Sequence, residues 1–150
     1  MTATETAGIV SEAITQALNK MACLEAIPFD GEPGMPLAGI TVEIHFTGPV
    51  NGAVRVIAGM DFARVLAENM SGLDMLTEQE CIDAMKELVN VTCGLVLPMI
   101  ANLPNDVVDV TVPHLTGSER QEYWEEFVGH DDVTVLDVED FPVAARLIIN

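Results

Sequence analysis

TEQECIDAMKELVNVTCGLVLPMIAN, residues Thr77–Asn102, has the marks of a long amphipathic helix, and the remaining elements are best read outward from it. Thr77 with Glu80 three residues later is a capping box, which places the first turn near Glu78. At about 100° per residue, Ile82, Met85, Leu88, Val89, Thr92, Leu95, Val96 and Met99 share one side, the stripe a core would bury. Asp83, Glu87, Asn90 and Gly94 fall nearly opposite, within an arc of roughly 60°. A helix with only a structural role gains nothing from such a ridge, because Asp and Asn compete for their own backbone and Gly costs about 1 kcal/mol relative to Ala. Pro98 is expected to kink the helix or to end its regular part near Leu97, with 102–106 as the exit.

The chain around this helix has 150 residues, 49% of them hydrophobic, which suffices for one domain spanning 1–150 with a real core. Twenty-four acidic against six basic residues give a formal charge of −18, which argues against nucleic acid or an anionic membrane as partner. Cys23, Cys81 and Cys93 form no CxxC pair and read as ordinary thiols in a reducing cytoplasm. The start, MTATETAG, lacks the basic and apolar regions of a signal peptide, and no apolar run reaches the roughly 20 residues of a membrane span. His45, His114 and His130 stand apart from one another without ligand spacing, so no metal site is expected. Phosphate-binding Gly-rich loops and the GxSxG elbow are absent.

Before the Thr77 helix, an apolar stripe of Val10, Ile14, Ala17, Leu18, Met21 and Leu24 predicts a helix from about Gly8 to Ile27. Residues 30–36, DGEPGMP, break it, and Ile40, Val42, Ile44 and Phe46 then alternate with polar residues as in a half-buried strand. Turn residues 47–52 and a second strand through Val54, Val56 and Ala58 complete a hairpin. Asp61 is expected to cap a short helix ended by Ser71-Gly72. After the long helix, Val108, Val110 and Val112 mark a third strand. The polar segment 115–130 reads equally as loop, short helix or lid, with core packing the expected role of Trp124. Val133–Val138 and Val143–Ile149 close the chain as two more strands, sufficiently apolar to be covered by helices.

Two long helices, one shorter helix and about five strands predict an α+β layer with a mainly antiparallel sheet. The plan carries an internal echo. Laying Asn19 over Asn90 puts Ala13 on Ala84 and sets Glu12, Gln16 and Asn19 on Asp83, Glu87 and Asn90, a degenerate helix-strand-strand repeat lacking its central carboxylate. A carboxyl-terminal edge strand is expected as a dimerisation seam.

The ridge chemistry follows from what it lacks. Asn90 cannot take a proton at neutral pH and has no Ser or Cys nucleophile beside it on the exposed face, but an amide holds a water by donating and accepting at once. That suits phosphoryl hydrolysis, which asks mainly for positioning and charge neutralisation.

The run Asp83-Ala84-Met85-Lys86-Glu87-Leu88-Val89-Asn90-Val91-Thr92-Cys93-Gly94 resembles the signature helix of the CheC/CheX/FliY chemotaxis phosphatases, D/S-x3-E-x2-N-x3-G, and the length and element order are similar to the single-site CheX type. The resemblance implies a phosphatase acting on the aspartyl phosphate of a CheY-type response regulator, which brings its own Mg²⁺ and a lysine; this chain would bind no cofactor. It implies that Asn90 orients the attacking water, that Glu87 pairs with the regulator's lysine, that Asp83 and Gly94 serve docking, and that the chain forms a homodimer. Lys86, where the family has a small residue, and Leu95, where a polar one is frequent, depart from the pattern. The alternative reading is a non-catalytic adaptor that docks response regulators or belongs to the flagellar switch.

Overall fold

The computed structural model describes residues 1–101, 107–116 and 121–150. Its elements are α1 (Ala3–Ala22), β1 (Ala26–Pro28), β2 (Gly39–Thr47), β3 (Gly52–Gly59), α2 (Met60–Ser71), α3 (Glu78–Ile100), β4 (Asp109–Val110), β5 (His114–Leu115), α4 (Gln121–Val128), β6 (Val133–Val138) and β7 (Phe141–Ile149). The predicted α+β layer is the architecture found. The sheet has seven strands and not about five because β1 and β5, at three and two residues, are too short to leave a hydropathy pattern.

All neighbouring strands are antiparallel, in the order β1-β6-β7-β3-β2-β4, with β5 also paired to β2. The order reads the same from either end when α1-β1-β2-β3 is exchanged with α3-β4-β6-β7. Each half lends its short edge strand to the other half's hairpin, so the helix-strand-strand repeat is built into the topology. This places β7 between β6 and β3 and corrects the expectation of an edge strand at the carboxyl terminus; the edges are β1 and β4–β5. Gly52 is required where β3 meets β7, since a Cβ there would collide with the Ile148 carbonyl oxygen.

Alternation along the strands divides the interior. Val42, Ile44, Phe46, Val54, Val56, Val143, Ala145 and Leu147 join α1, α2 and α3 in the main core, with Ile14, Leu18, Phe62, Met85 and Leu88 fully buried. Ile57 and Ala144 face the other way and pack beneath α4 against Trp124 and Phe127. Segment 121–128 of the ambiguous region is therefore a helix, and Trp124 is a core residue as expected, its indole N–H donating to the Pro33 carbonyl at 3.2 Å.

Several boundaries differ from prediction for local reasons. α1 starts at Ala3 because Thr2 and Glu5 form a second capping box, and it stops at Cys23, whose φ of 54° is left-handed. Ala26 and Ile27, expected in that helix, pair with β6 instead, as does Pro28. Asp61 lies in the first turn of α2, where Gly59 is the N-cap without a side-chain bond. α3 runs through Pro98 to Ile100, and the exit at 102–106 lies outside the described residues. The strand expected from Val108 to Val112 forms only at Asp109–Val110.

Candidate functional site

Helix α3 has the cap its sequence announces: the Thr77 hydroxyl accepts from the Glu80 N–H, and the Glu80 carboxylate accepts from the Thr77 N–H at 3.0 Å. Those bonds from Thr77 hold the Glu80 carboxyl below its ordinary value. α1 and α2 pack on its flanks and β2 lies behind it, burying Cys81, Ala84, Met85, Leu88, Val89, Thr92, Cys93, Val96 and Leu97. The buried arc is wider than the predicted stripe, while Ile82 and Leu95 are only half-buried and Met99 is exposed. Buried Thr92 is satisfied by donating to the Leu88 carbonyl at 2.7 Å. The Arg64 guanidinium donates to the Leu76 carbonyl at 2.7 Å, tying the turn before α3 to α2.

With three sides covered, α3 has one free face, and Asp83, Glu87, Asn90 and Gly94 occupy it, all exposed. Among the described residues, neither the Glu87 carboxylate nor the Asn90 amide has a hydrogen-bond partner, so both are available to another molecule. Asp83 accepts from Gln79 at 2.9 Å and is the tethered member of the set. A Cβ added at Gly94 would meet nothing within 4 Å, so space inside this chain does not demand glycine there. Cys93, next to it in sequence, faces the core, and burial pushes its thiol up to about 11, which removes it as a nucleophile.

The ridge borders a groove of about 370 Å³ between Asp83, Lys86, Glu87 and Asn90 on one side and Thr111, Val112 and Pro113 on the other. This second wall escapes a reading of the sequence, since it is assembled by strand pairing. The Thr111 hydroxyl accepts from the His45 N–H at 3.0 Å and its own N–H donates to the His45 carbonyl at 2.9 Å. Lys86 is half-buried in the groove and, among the described residues, forms no ion pair with Asp83. Leu95 packs against the main core, off the ridge. A hollow lined by Met70, Leu73 and Leu76 adjoins the ridge and shares Asp83 with it.

The degenerate set sits at the equivalent place on α1. Glu12 and Asn19 are exposed, but Gln16 is half-buried and donates to Glu12 at 3.3 Å, so its amide is engaged within the helix. His45 and His114, isolated in sequence, stack with ring centroids 5.6 Å apart once β5 pairs with β2, and Glu43 lies beside them. No helix among the described residues is long and apolar enough to cross a membrane.

The profile of the chemotaxis phosphatase CheX family matches residues 40–123, which include the whole of α3. Among solved structures, chemotaxis protein CheX from Vibrio vulnificus is similar at 15% identity and a TM-score of 0.73, over 100% of this chain and 99% of that one. CheX from Desulfovibrio desulfuricans is similar at 16% identity and a TM-score of 0.72, covering 97% of this chain and 99% of its own. The CheX–CheY–BeF3–Mg²⁺ complex from Borrelia burgdorferi is similar at 15% identity and a TM-score of 0.69, over 97% of both chains. No protein of curated function matches in sequence.

Proposed function

The chain belongs to the chemotaxis phosphatase CheX family, and from that premise we propose that it hydrolyses the aspartyl phosphate of a CheY-type response regulator, with Asn90 and Glu87 as the working pair. The observation that carries this reading is that both side chains are exposed and, among the described residues, unpartnered, one helical turn apart, on a helix whose other sides are immobilised by packing. An amide and a carboxylate three residues apart on a helix are neighbours pointing the same way, so one docking event engages both.

The charges decide which does what. A phosphoryl group is anionic, and Asp83 and Glu87 repel it; Asn90 is the ridge's neutral hydrogen-bonding group. Its carbonyl oxygen accepts from a water while its NH₂ donates to a phosphoryl oxygen, which sets the water in line with the P–O bond. Glu87 meets the regulator's lysine in a charge-assisted contact that fixes the register of insertion. Mg²⁺ on the regulator supplies charge neutralisation when bound. No side chain here needs to remove the water's proton before attack, because a loose transition state puts little demand on nucleophile strength. A hundredfold gain over self-hydrolysis takes about 2.7 kcal/mol, within reach of one placed amide. Asp83 and Gly94 shape the approach, the first through its link to the apolar hollow and the second by leaving the far end of the ridge low.

A partner of this kind places the encounter in the cytoplasm, to which three free thiols are suited. Homodimerisation, implied by the family likeness, would use β1 or β4–β5, the two free sheet edges.

Lys86 in the groove favours the rival reading, a regulator-binding adaptor without turnover, because a cation there competes with the regulator's lysine for Glu87. The two are separated by following a phosphorylated CheY-type regulator with saturating chain present. Shortening of its phosphate lifetime by tenfold or more supports the phosphatase; binding with an unchanged lifetime supports the adaptor.

A further inference from the structure

We propose that Glu43, His45 and His114 form a binding site for one divalent transition-metal ion of the zinc type, on the sheet edge that carries the outer wall of the ridge groove. Each of the three offers a donor atom, and these atoms all lie within 4.8 Å of one another. The sheet produces the cluster. Glu43 and His45 are two apart on β2 and so share a face, and His114 on β5 stands directly opposite Glu43 in the ladder. Val42, Ile44 and Phe46 point into the main core between them, so the cluster is on the sheet's other face.

The surroundings suit a ligand set. Glu43 is 5% exposed, and Arg55, its cross-strand neighbour on β3, donates to its Oε1 at 3.0 Å. That bond leaves Oε2, 3.7 Å from His45 Nε2, directed toward the imidazoles. A ligating carboxylate held by an outer hydrogen-bonding partner is the usual arrangement at protein metal sites. Two imidazoles and one carboxylate select zinc, copper, nickel or iron(II) over magnesium and calcium, which prefer all-oxygen shells. Zinc held at 2.0–2.2 Å by three tetrahedral ligands needs donors roughly 3.3–3.6 Å apart. The exposed His114 side chain closes the remaining distance by rotating about its own bonds. Arg55 shares the carboxylate's charge, which lowers the affinity below that of the same three ligands without it.

The consequence is local. Thr111 is bonded through two hydrogen bonds to the His45 backbone, and Thr111, Val112 and Pro113 are the groove wall that leads into His114. An ion joining His114 to His45 and Glu43 clamps both ends of that wall to β2. The site stands whether or not the chain is a phosphatase.

The test is a titration of the full chain with Zn²⁺, followed by calorimetry and by the imidazole and amide NMR signals. One equivalent is expected to shift His45 and His114 and the amides of Thr111 and Val112, leaving His130 unmoved, and His114→Ala, which removes a ligand, is expected to weaken binding by at least the roughly 10–100-fold that loss of an outer-shell partner costs. His130→Ala serves as the control and should bind as the wild type does. The proposal is overturned if all three histidines shift alike or His114→Ala leaves the affinity unchanged, which would assign the ion to the general surface, or if no histidine shifts, which would leave no ion at this cluster.

Discussion

Asn90 is neutral, and on a ridge shared with Asp83 and Glu87 that neutrality is what would let it approach an anion in the proposed reaction. A carboxylate at the same position would be nearly isosteric yet repelled, so Asn90→Asp should lose the acceleration as Asn90→Ala does and should in addition dock the phosphorylated regulator more weakly than Asn90→Ala, although both fold normally. Gly94 has a different signature. Because a Cβ there meets nothing, Gly94→Ala should stabilise the protein by about 0.5–1 kcal/mol in denaturant titration. The same change should weaken regulator docking several-fold; a variant that is both more stable and docks normally would remove Gly94 from the interface. The four ridge residues were legible in the sequence because a helix repeats every 3.6 residues and each ridge residue sits a turn from the next. Thr111 and His114 were not, since nothing near them in sequence shows which strand they pair with.

The helix as an element is set by its first turn and by its flanks. Thr77→Ala removes a cap whose loss costs about 1 kcal/mol, and unfolding by urea should show it with no change in the slope. Glu80 adds a pH dependence of known sign. Its carboxyl is held low in the folded state by bonds from Thr77, so its contribution is complete above the ordinary glutamate pKa and is lost as the pH falls through the lowered folded value. Replacing it with Gln, which retains the acceptor oxygen without the charge, should flatten that part of the acid-unfolding curve. A curve identical to the wild type's would show that the cap does not titrate. At this scale the sequence was a good guide where hydropathy and caps agree, as in α3 and the β2–β3 hairpin. It failed where one signal was missing: β1 hid inside an apolar run that also suits a helix, and Pro98 was outweighed by Val96 and Leu97, whose burial holds the last turn in place.

In the whole molecule, two similar halves exchange edge strands, and only one half has kept a carboxylate at the centre of its ridge. The topology explains both the repeat and the misplaced edge. A pattern of apolar strands at the carboxyl terminus says that they are covered, but not that the last strand inserts between β6 and β3. It also explains why α3 is rigid with one face exposed: α1, α2 and the sheet hold three of its sides, which under the proposed function makes it a tool whose fourth side meets the regulator. A tool of this kind should be separable from its handle by one substitution. The direct measurement is the decay of a phosphorylated CheY-type regulator at saturating concentrations of the wild-type chain and of Asn90→Ala, with affinity determined in parallel. The wild type should accelerate decay by about a hundredfold, roughly 2.7 kcal/mol, and Asn90→Ala should return it to the regulator's own rate while binding changes less than a few-fold. An Asn90→Ala chain that accelerates decay as well as the wild type would contradict the assignment of the water to this amide.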